Sequence, residues 1–75
     1  MILTFTNNEV SIDFKVAETE RIIDVLKTIS ENTEMRVNLE TVSYVYSKRL
    51  QEQIHILNTF ESVEIYNGDI LEIRG

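Results

Sequence analysis

Length, composition and charge set the first limits on this chain. Its 75 residues are 43% hydrophobic, which suffices for one small core and predicts a single domain over residues 1–75. The absence of cysteine excludes a disulfide framework, a thiolate metal site and a cysteine nucleophile, and predicts a cytoplasmic protein. A formal net charge of -6 argues against nucleic acid and anionic membrane surfaces as partners, and no apolar run is long enough for membrane insertion.

The first sixteen residues have the alternating pattern of a β-hairpin. Leu3 and Phe5 alternate with threonines, and the apolar residues of Val10–Val16 alternate strictly with polar ones. A period of two predicts strands with one buried and one wet face. Asn7 and Asn8 between the two runs predict a two-residue turn, since Asn tolerates the left-handed conformation that such turns require.

The hydrophobic spacing then becomes helical. Apolar residues recur at spacings of three, four and seven, at Ile22, Val25, Leu26 and Ile29. This stripe predicts an amphipathic helix over residues 20–30, with Thr19 as N-cap and Glu20 in the first turn. Asn32 is the predicted stop.

Residues 32–41 allow two interpretations. Met35, Val37 and Leu39 alternate with polar residues, which permits a short extended segment. A surface loop anchored by the same three side chains is equally compatible with the pattern.

The rest of the chain predicts three strands. Residues 42–46 are rich in β-branched and aromatic residues and predict a strand, and residues 47–49 form the predicted turn after it. Residues 50–51 begin a short partner strand, and an irregular stretch with core residues follows. Residues 67–69 (Asn-Gly-Asp) are a strong turn signal before a last strand over 70–73.

The predicted order of elements is β-β-α-β-β-β. One helix of this length covers one face of a mixed sheet, which defines an α+β domain. The right-handed crossover rule then favours first and last strands that lie side by side and parallel.

The last third of the chain resembles a ubiquitin-like β-grasp domain. The resemblance lies in Leu50, Leu57, Phe60, Val63 and the ending Tyr66–Ile73, and the Met1–Phe5 opening matches the front half. Within that superfamily the Asn67–Ile73 ending is similar to the YukD/EsaB family, which accompanies type VII secretion systems. The resemblance implies a β-grasp fold and a non-catalytic accessory or regulatory protein. Its implied partners are other proteins, including membrane or ATPase components of the secretion system.

The last residue leaves a second function open. Ubiquitin and the sulfur-carrier proteins end in a diglycine tail that threads the narrow channel of an activating enzyme. Here Gly75 follows the bulky Arg74. A modifier or sulfur carrier activated at Gly75 is therefore the alternative, and a plain chain end is the favoured interpretation.

The sequence offers no recognisable catalytic or ligand-binding constellation. His55 is the only histidine and has no nucleophile or orienting acid beside it in the sequence. The carboxylates do not have zinc or calcium spacing, and Asn67-Gly68-Asp69 is not a glycine-rich phosphate loop. We therefore predict no enzymatic activity, no cofactor and no metal.

The strand over 42–46 carries the predicted docking residues. Val42, Tyr44 and Tyr46 share one face, and Val45 lies on the other. Core packing of the tyrosines is the favoured arrangement, and an exposed aromatic stripe is the alternative. Whichever side is exposed, the open sheet face is the expected site, with these residues named as candidates: Tyr44, Val45, Tyr46, Lys48 and Arg49.

Overall fold

The computed structural model describes residues 1–74. Over these residues the chain forms five strands, one α-helix and one short 3-10 helix. In chain order they are β1 (Ile2–Thr6), β2 (Ser11–Lys15), α1 (Ile22–Asn32), β3 (Tyr44–Ser47), β4 (Glu52–His55), the 3-10 helix (Glu61–Val63) and β5 (Ile70–Arg74).

The strands form one mixed sheet in the order β2-β1-β5-β3-β4. β1 and β5 are parallel, with Thr4 opposite Ile70, and the other pairs are antiparallel. The first and last strands therefore lie side by side in the middle of the sheet, as predicted. This sheet and its single helix make an α+β fold of the β-grasp type, which confirms the predicted fold class.

The core lies between one sheet face and α1. Fifteen hydrophobic side chains are buried in one cluster. The sheet contributes Leu3, Phe5, Val45 and Leu71, and the helix contributes its predicted stripe of Ile22, Val25, Leu26 and Ile29. Among the described residues no helix is long and apolar enough to cross a membrane.

The loop between β1 and β2 differs from the predicted two-residue turn. It spans residues 7–10, and the Asn7 Oδ1 atom accepts hydrogen bonds from the N–H groups of Glu9 and Val10 at 3.0 and 2.9 Å. Neither Asn7 nor Asn8 has a positive φ. Asn7 therefore acts through its side chain, as in an Asx turn, and not through a left-handed backbone.

The start of α1 also differs from the prediction. Arg21 is the N-cap and makes no side-chain capping bond, so Thr19 does not cap the helix. The first helical N–H groups are satisfied across the fold instead. Ile22 donates to the Asn58 carbonyl at 3.0 Å, and Ile23 donates to the Ile56 carbonyl at 2.8 Å. A tertiary partner thus replaces the local cap that a free helix end would need.

The helix ends two residues later than the predicted end at residue 30. Asn32 is its last residue, and Thr33 follows as C-cap. The Thr33 hydroxyl donates to the Ile29 carbonyl at 2.7 Å, which satisfies one of the last free carbonyls.

Residues 33–43 form a loop without a strand, which is the second of the two interpretations left open. Met35 is fully buried, and Val37 and Leu39 pack half-buried against the core. Strand β3 begins at Tyr44, two residues later than predicted, because Val42 turns into the core before the strand starts.

Candidate protein-docking face

The sheet face opposite the helix is open. The strand register places on it the alternate residues whose neighbours point into the core. These residues are Ser11, Asp13 and Lys15; Ile2, Thr4 and Thr6; Ile70, Glu72 and Arg74; Tyr44 and Tyr46; and Gln53 and His55. Thr4, Thr6 and Glu72 share this face through the β1–β5 pairing.

The structure reverses the expected orientation of β3. Val45 is 0% exposed and pairs with Ile73 on the core side, whereas Tyr44 is 44% exposed and Tyr46 is half-buried on the open face. The expectation that the tyrosines pack in the core is therefore wrong. Val42 does not extend their stripe, since it is buried ahead of the strand. Val45 lies beneath the open face and is not accessible from it.

The register that turns Val45 toward the core also turns Ser47 toward it, so this polar side chain must be buried as well. Ser47 is fully buried and donates its hydroxyl to Asp69 Oδ2 at 2.5 Å. A small hydroxyl that has an acceptor can be buried without the cost of an unpaired polar group. The register that exposes the tyrosines therefore buries Ser47 with its hydroxyl paired.

The aromatic residues of the open face are held by their neighbours. The rings of Tyr44 and His55 meet edge to face, with centroids 5.2 Å apart. The Arg74 guanidinium lies 4.2 Å from the centre of the Tyr46 ring and forms an ion pair with Glu72 at 3.1 Å. We call these five residues the tyrosine patch. Their mutual contacts restrict the side chains before any partner arrives, which reduces the entropy lost on binding.

Lys48 and Arg49 lie elsewhere on this face. They follow the end of β3, beside the start of β5, whereas Tyr44 pairs with Arg74 at the end of β5. Four residue steps along β5, about 13 Å at a strand's rise, separate the two ends. Tyr46 lies between these ends, two residue steps or about 7 Å from Lys48, so the predicted docking residues form two adjoining groups along β3.

The second group borders a shallow cleft of about 360 Å³. We call it the basic cleft, and its lining residues are Lys48, Arg49, Asn67, Gly68, Asp69 and Ile70. The Arg49 guanidinium lies 4.5 Å from the centre of the Tyr66 ring and donates to the Glu64 carbonyl, so it is fixed in place.

Asp69 forms the polar floor of the cleft and was missed by sequence reasoning, which assigned it only to a turn. It is 3% exposed, and its Oδ1 atom accepts from the N–H groups of Arg49 and Ile70 at 3.1 and 2.7 Å. Ser47 completes its partners. No local signal marks this pair, because the two residues are 22 positions apart and meet only through the β3–β5 pairing.

The Asn67-Gly68-Asp69 turn is present as predicted. The Asp69 N–H donates to the Tyr66 carbonyl at 3.2 Å, and Gly68, at the third position of that turn, has a φ of 88°. A type II turn requires a positive φ at this position, which explains the glycine. The turn brings Asp69 to the position where it meets Ser47.

Two further sequence expectations concern metal ligands and His55 among the described residues. Over residues 1–74 no group of three or more His, Asp or Glu side chains could hold a metal ion. His55 is exposed, and its Nδ1 atom accepts from the Leu57 N–H at 3.2 Å. Gly75, on which the modifier alternative rests, lies outside the described residues.

Comparison with known proteins supports the fold. Matches to this fold occur in 77 chains of solved structures. One of them is a ubiquitin-like protein from the hyperthermophilic archaea Caldiarchaeum subterraneum, with a TM-score of 0.56 and 14% sequence identity over 97% of this chain and 92% of that chain. No protein-family model matches the chain, and no curated protein sequence matches it significantly. The chain therefore has a ubiquitin-like β-grasp fold, and the likeness shows the fold alone.

Proposed function

We propose that this protein is a non-catalytic interaction module that docks other proteins through the tyrosine patch. One observation carries the proposal. The fold turns two neighbouring tyrosines outward on a flat sheet face, while it buries the valine between them. Packing of the core explains why an apolar residue such as Val45 points inward. The outward tyrosines contribute little to that core, so core packing does not explain their presence.

The chemistry of the patch suits a protein partner. Aromatic side chains supply a large contact area with few rotatable bonds, and tyrosine and arginine are enriched at binding hot spots. Arg74 and Glu72 supply charges of both signs at the rim of Tyr46. Such a rim favours one orientation of a partner more than it adds affinity.

The partner we propose is a membrane or ATPase component of a type VII secretion system. This step is supported by the similarity of the Asn67–Ile73 ending to the YukD/EsaB family, together with the ubiquitin-like fold. In this role the protein is a cytoplasmic accessory or regulatory component of the secretion apparatus.

The test compares three tagged proteins purified from cells of the organism that encodes the chain. They are the wild type, the double variant Tyr44→Ala/Tyr46→Ala and the control Leu57→Ala. Leu57 is a matched control because it is an exposed large hydrophobic residue outside the sheet. We expect secretion components with the wild type and the control, and their loss with the double variant, while far-UV circular dichroism stays unchanged.

Two results would contradict the proposal at different levels. Partners that bind the double variant as strongly as the wild type would show that the tyrosine patch is not the docking surface. Reproducible partners that include no secretion component would overturn the secretion role and leave the docking surface standing.

A further inference from the structure

The basic cleft has two cationic side chains, Lys48 and Arg49, in its lining. Lys48 is exposed, and within residues 1–74 neither Lys48 nor Arg49 forms an ion pair. Asn67 is exposed and uses its Oδ1 atom to accept from the Ile2 N–H at 2.7 Å, a bond that does not use its amide NH2 group. The one carboxylate in the lining, Asp69, is buried and already has partners on both oxygens. The groups left for a ligand therefore favour an anion.

The cleft also has an apolar border. Ile70 is 37% exposed in its lining, and Ile2 is 52% exposed on the adjacent strand. The two strands meet here, since the Gly68 N–H donates to the Ile2 carbonyl at 2.8 Å. Large exposed aliphatic side chains beside a polar pocket are typical of a surface that buries an apolar group of its ligand.

The charge distribution makes this basic site unusual for the molecule. The helix and its flanking segments, residues 18–40, carry six acidic residues and three basic ones: Glu18, Glu20, Asp24, Glu31, Glu34 and Glu40 against Arg21, Lys27 and Arg36. This segment holds half of the net charge of -6, and the other half lies on the remaining residues, among which Lys48 and Arg49 are the one adjacent basic pair. An acidic ligand therefore meets its densest positive charge at the cleft.

We propose that the basic cleft binds a peptide segment in which an Asp or Glu side chain stands next to a large apolar one. The carboxylate lies between Lys48 and the Asn67 amide, and the apolar side chain covers Ile70 and Ile2. Arg49, held by Tyr66, borders the carboxylate. This second site lies at the start of β5, two residues before Glu72 of the tyrosine patch, and none of its proposed ligand groups belongs to that patch.

The basic cleft is tested with a random peptide library displayed on phage and selected against the wild-type protein. A peptide from the selected set is then synthesised and titrated while amide chemical shifts are recorded. Lys48→Gln is compared with Lys27→Gln, which removes the same charge from the exposed surface of α1. Both variants keep the long side chain, so a difference between them reports the position of the charge.

We expect selected peptides that contain an acidic residue beside an apolar one and that shift the amides of residues 67–70. Lys48→Gln should weaken binding about fivefold, whereas Lys27→Gln leaves it unchanged or stronger. Added salt should weaken the wild-type complex. Replacement of the acidic residue by its amide in the peptide should have the same effect as Lys48→Gln.

Any of four outcomes overturns the proposal. They are a failure to select peptides, selected sequences without acidic residues, equal binding by the two lysine variants, and shifts confined to the tyrosine patch. The last outcome would leave the docking function intact and move the peptide to the other end of the sheet. A separate result would refute the proposed peptide site as well: binding of an oligonucleotide, or of a second copy of the chain, at residues 67–70 in place of the peptide.

Discussion

Removal of the Asp69 carboxylate should destabilise the fold more than any other single polar change described above. Asp69→Ala leaves the fully buried Ser47 hydroxyl without its acceptor, which costs about 1–3 kcal/mol. The N–H groups of Arg49 and Ile70 also lose their acceptor, but they are only partly buried and regain water. We expect a total loss of about 2–4 kcal/mol in the free energy of unfolding, since each lost bond was charge-assisted.

That loss is large for a chain of this size. At about 0.05–0.15 kcal/mol per residue, 75 residues give a total stability of about 4–11 kcal/mol. A change of this magnitude lowers Tm by about 10–25 °C in a small domain. Urea and thermal unfolding followed by far-UV circular dichroism measure both quantities.

Two further variants separate the hydrogen bonds from general disruption. Asp69→Asn keeps an acceptor for the two backbone N–H groups and offers an NH2 donor to the Ser47 oxygen, so it should cost only about 1 kcal/mol. Ser47→Ala leaves Asp69 Oδ2 and the Leu50 N–H unpaired and should cost about 1–2 kcal/mol. The double variant Ser47→Ala/Asp69→Ala should lose less free energy of unfolding than the sum of the two single variants, because each single change already leaves the other partner without its hydrogen bond.

An Asp69→Ala protein whose free energy of unfolding lies within about 0.5 kcal/mol of the wild-type value, the range of ordinary surface substitutions, would contradict a stabilising role for this hydrogen bond. Strict additivity in the double-variant cycle would also refute it, because independent sites add. Either result would mean that the strand pairing, and not this hydrogen bond, accommodates Ser47.

Three other changes have defined expected outcomes. Leu26→Ala, at a fully buried helix position, should cost about 2–5 kcal/mol, and an unchanged Tm would contradict the packing of α1 against the sheet. Gly68→Ala should lower the free energy of unfolding by about 1–2 kcal/mol. The cost comes from the backbone φ of 88°, because an added Cβ meets no atom within 4 Å, and a neutral effect would show that this φ is not strained for alanine. Removal of Gly75 should leave stability and partner binding unchanged, whereas a specific loss of function at normal protein levels would support the modifier alternative.

Local periodicity was sufficient for most elements of the fold. The alternation over β2 and the helical stripe of α1 each have one apolar side, so burial of that side selects the strand and the helix without further information. The Asn67-Gly68-Asp69 turn is equally local, because glycine is the residue that adopts its positive φ without strain. The order of these elements, with the handedness of the crossover, left few arrangements, and the resemblance to ubiquitin-like domains selected the parallel pairing of β1 with β5.

Only the tertiary structure decided which residues form the candidate site. The β3 sequence Tyr-Val-Tyr-Ser has apolar character on both faces, so its own pattern does not select the buried one. Pairing with β5 places Val45 and Ser47 inward, and the distant Asp69 makes the inward serine acceptable. The first turn of α1 is likewise completed by the Ile56 and Asn58 carbonyls. In each case a polar group or a strand face is satisfied by residues far along the chain, and such partners are brought together only by the complete fold.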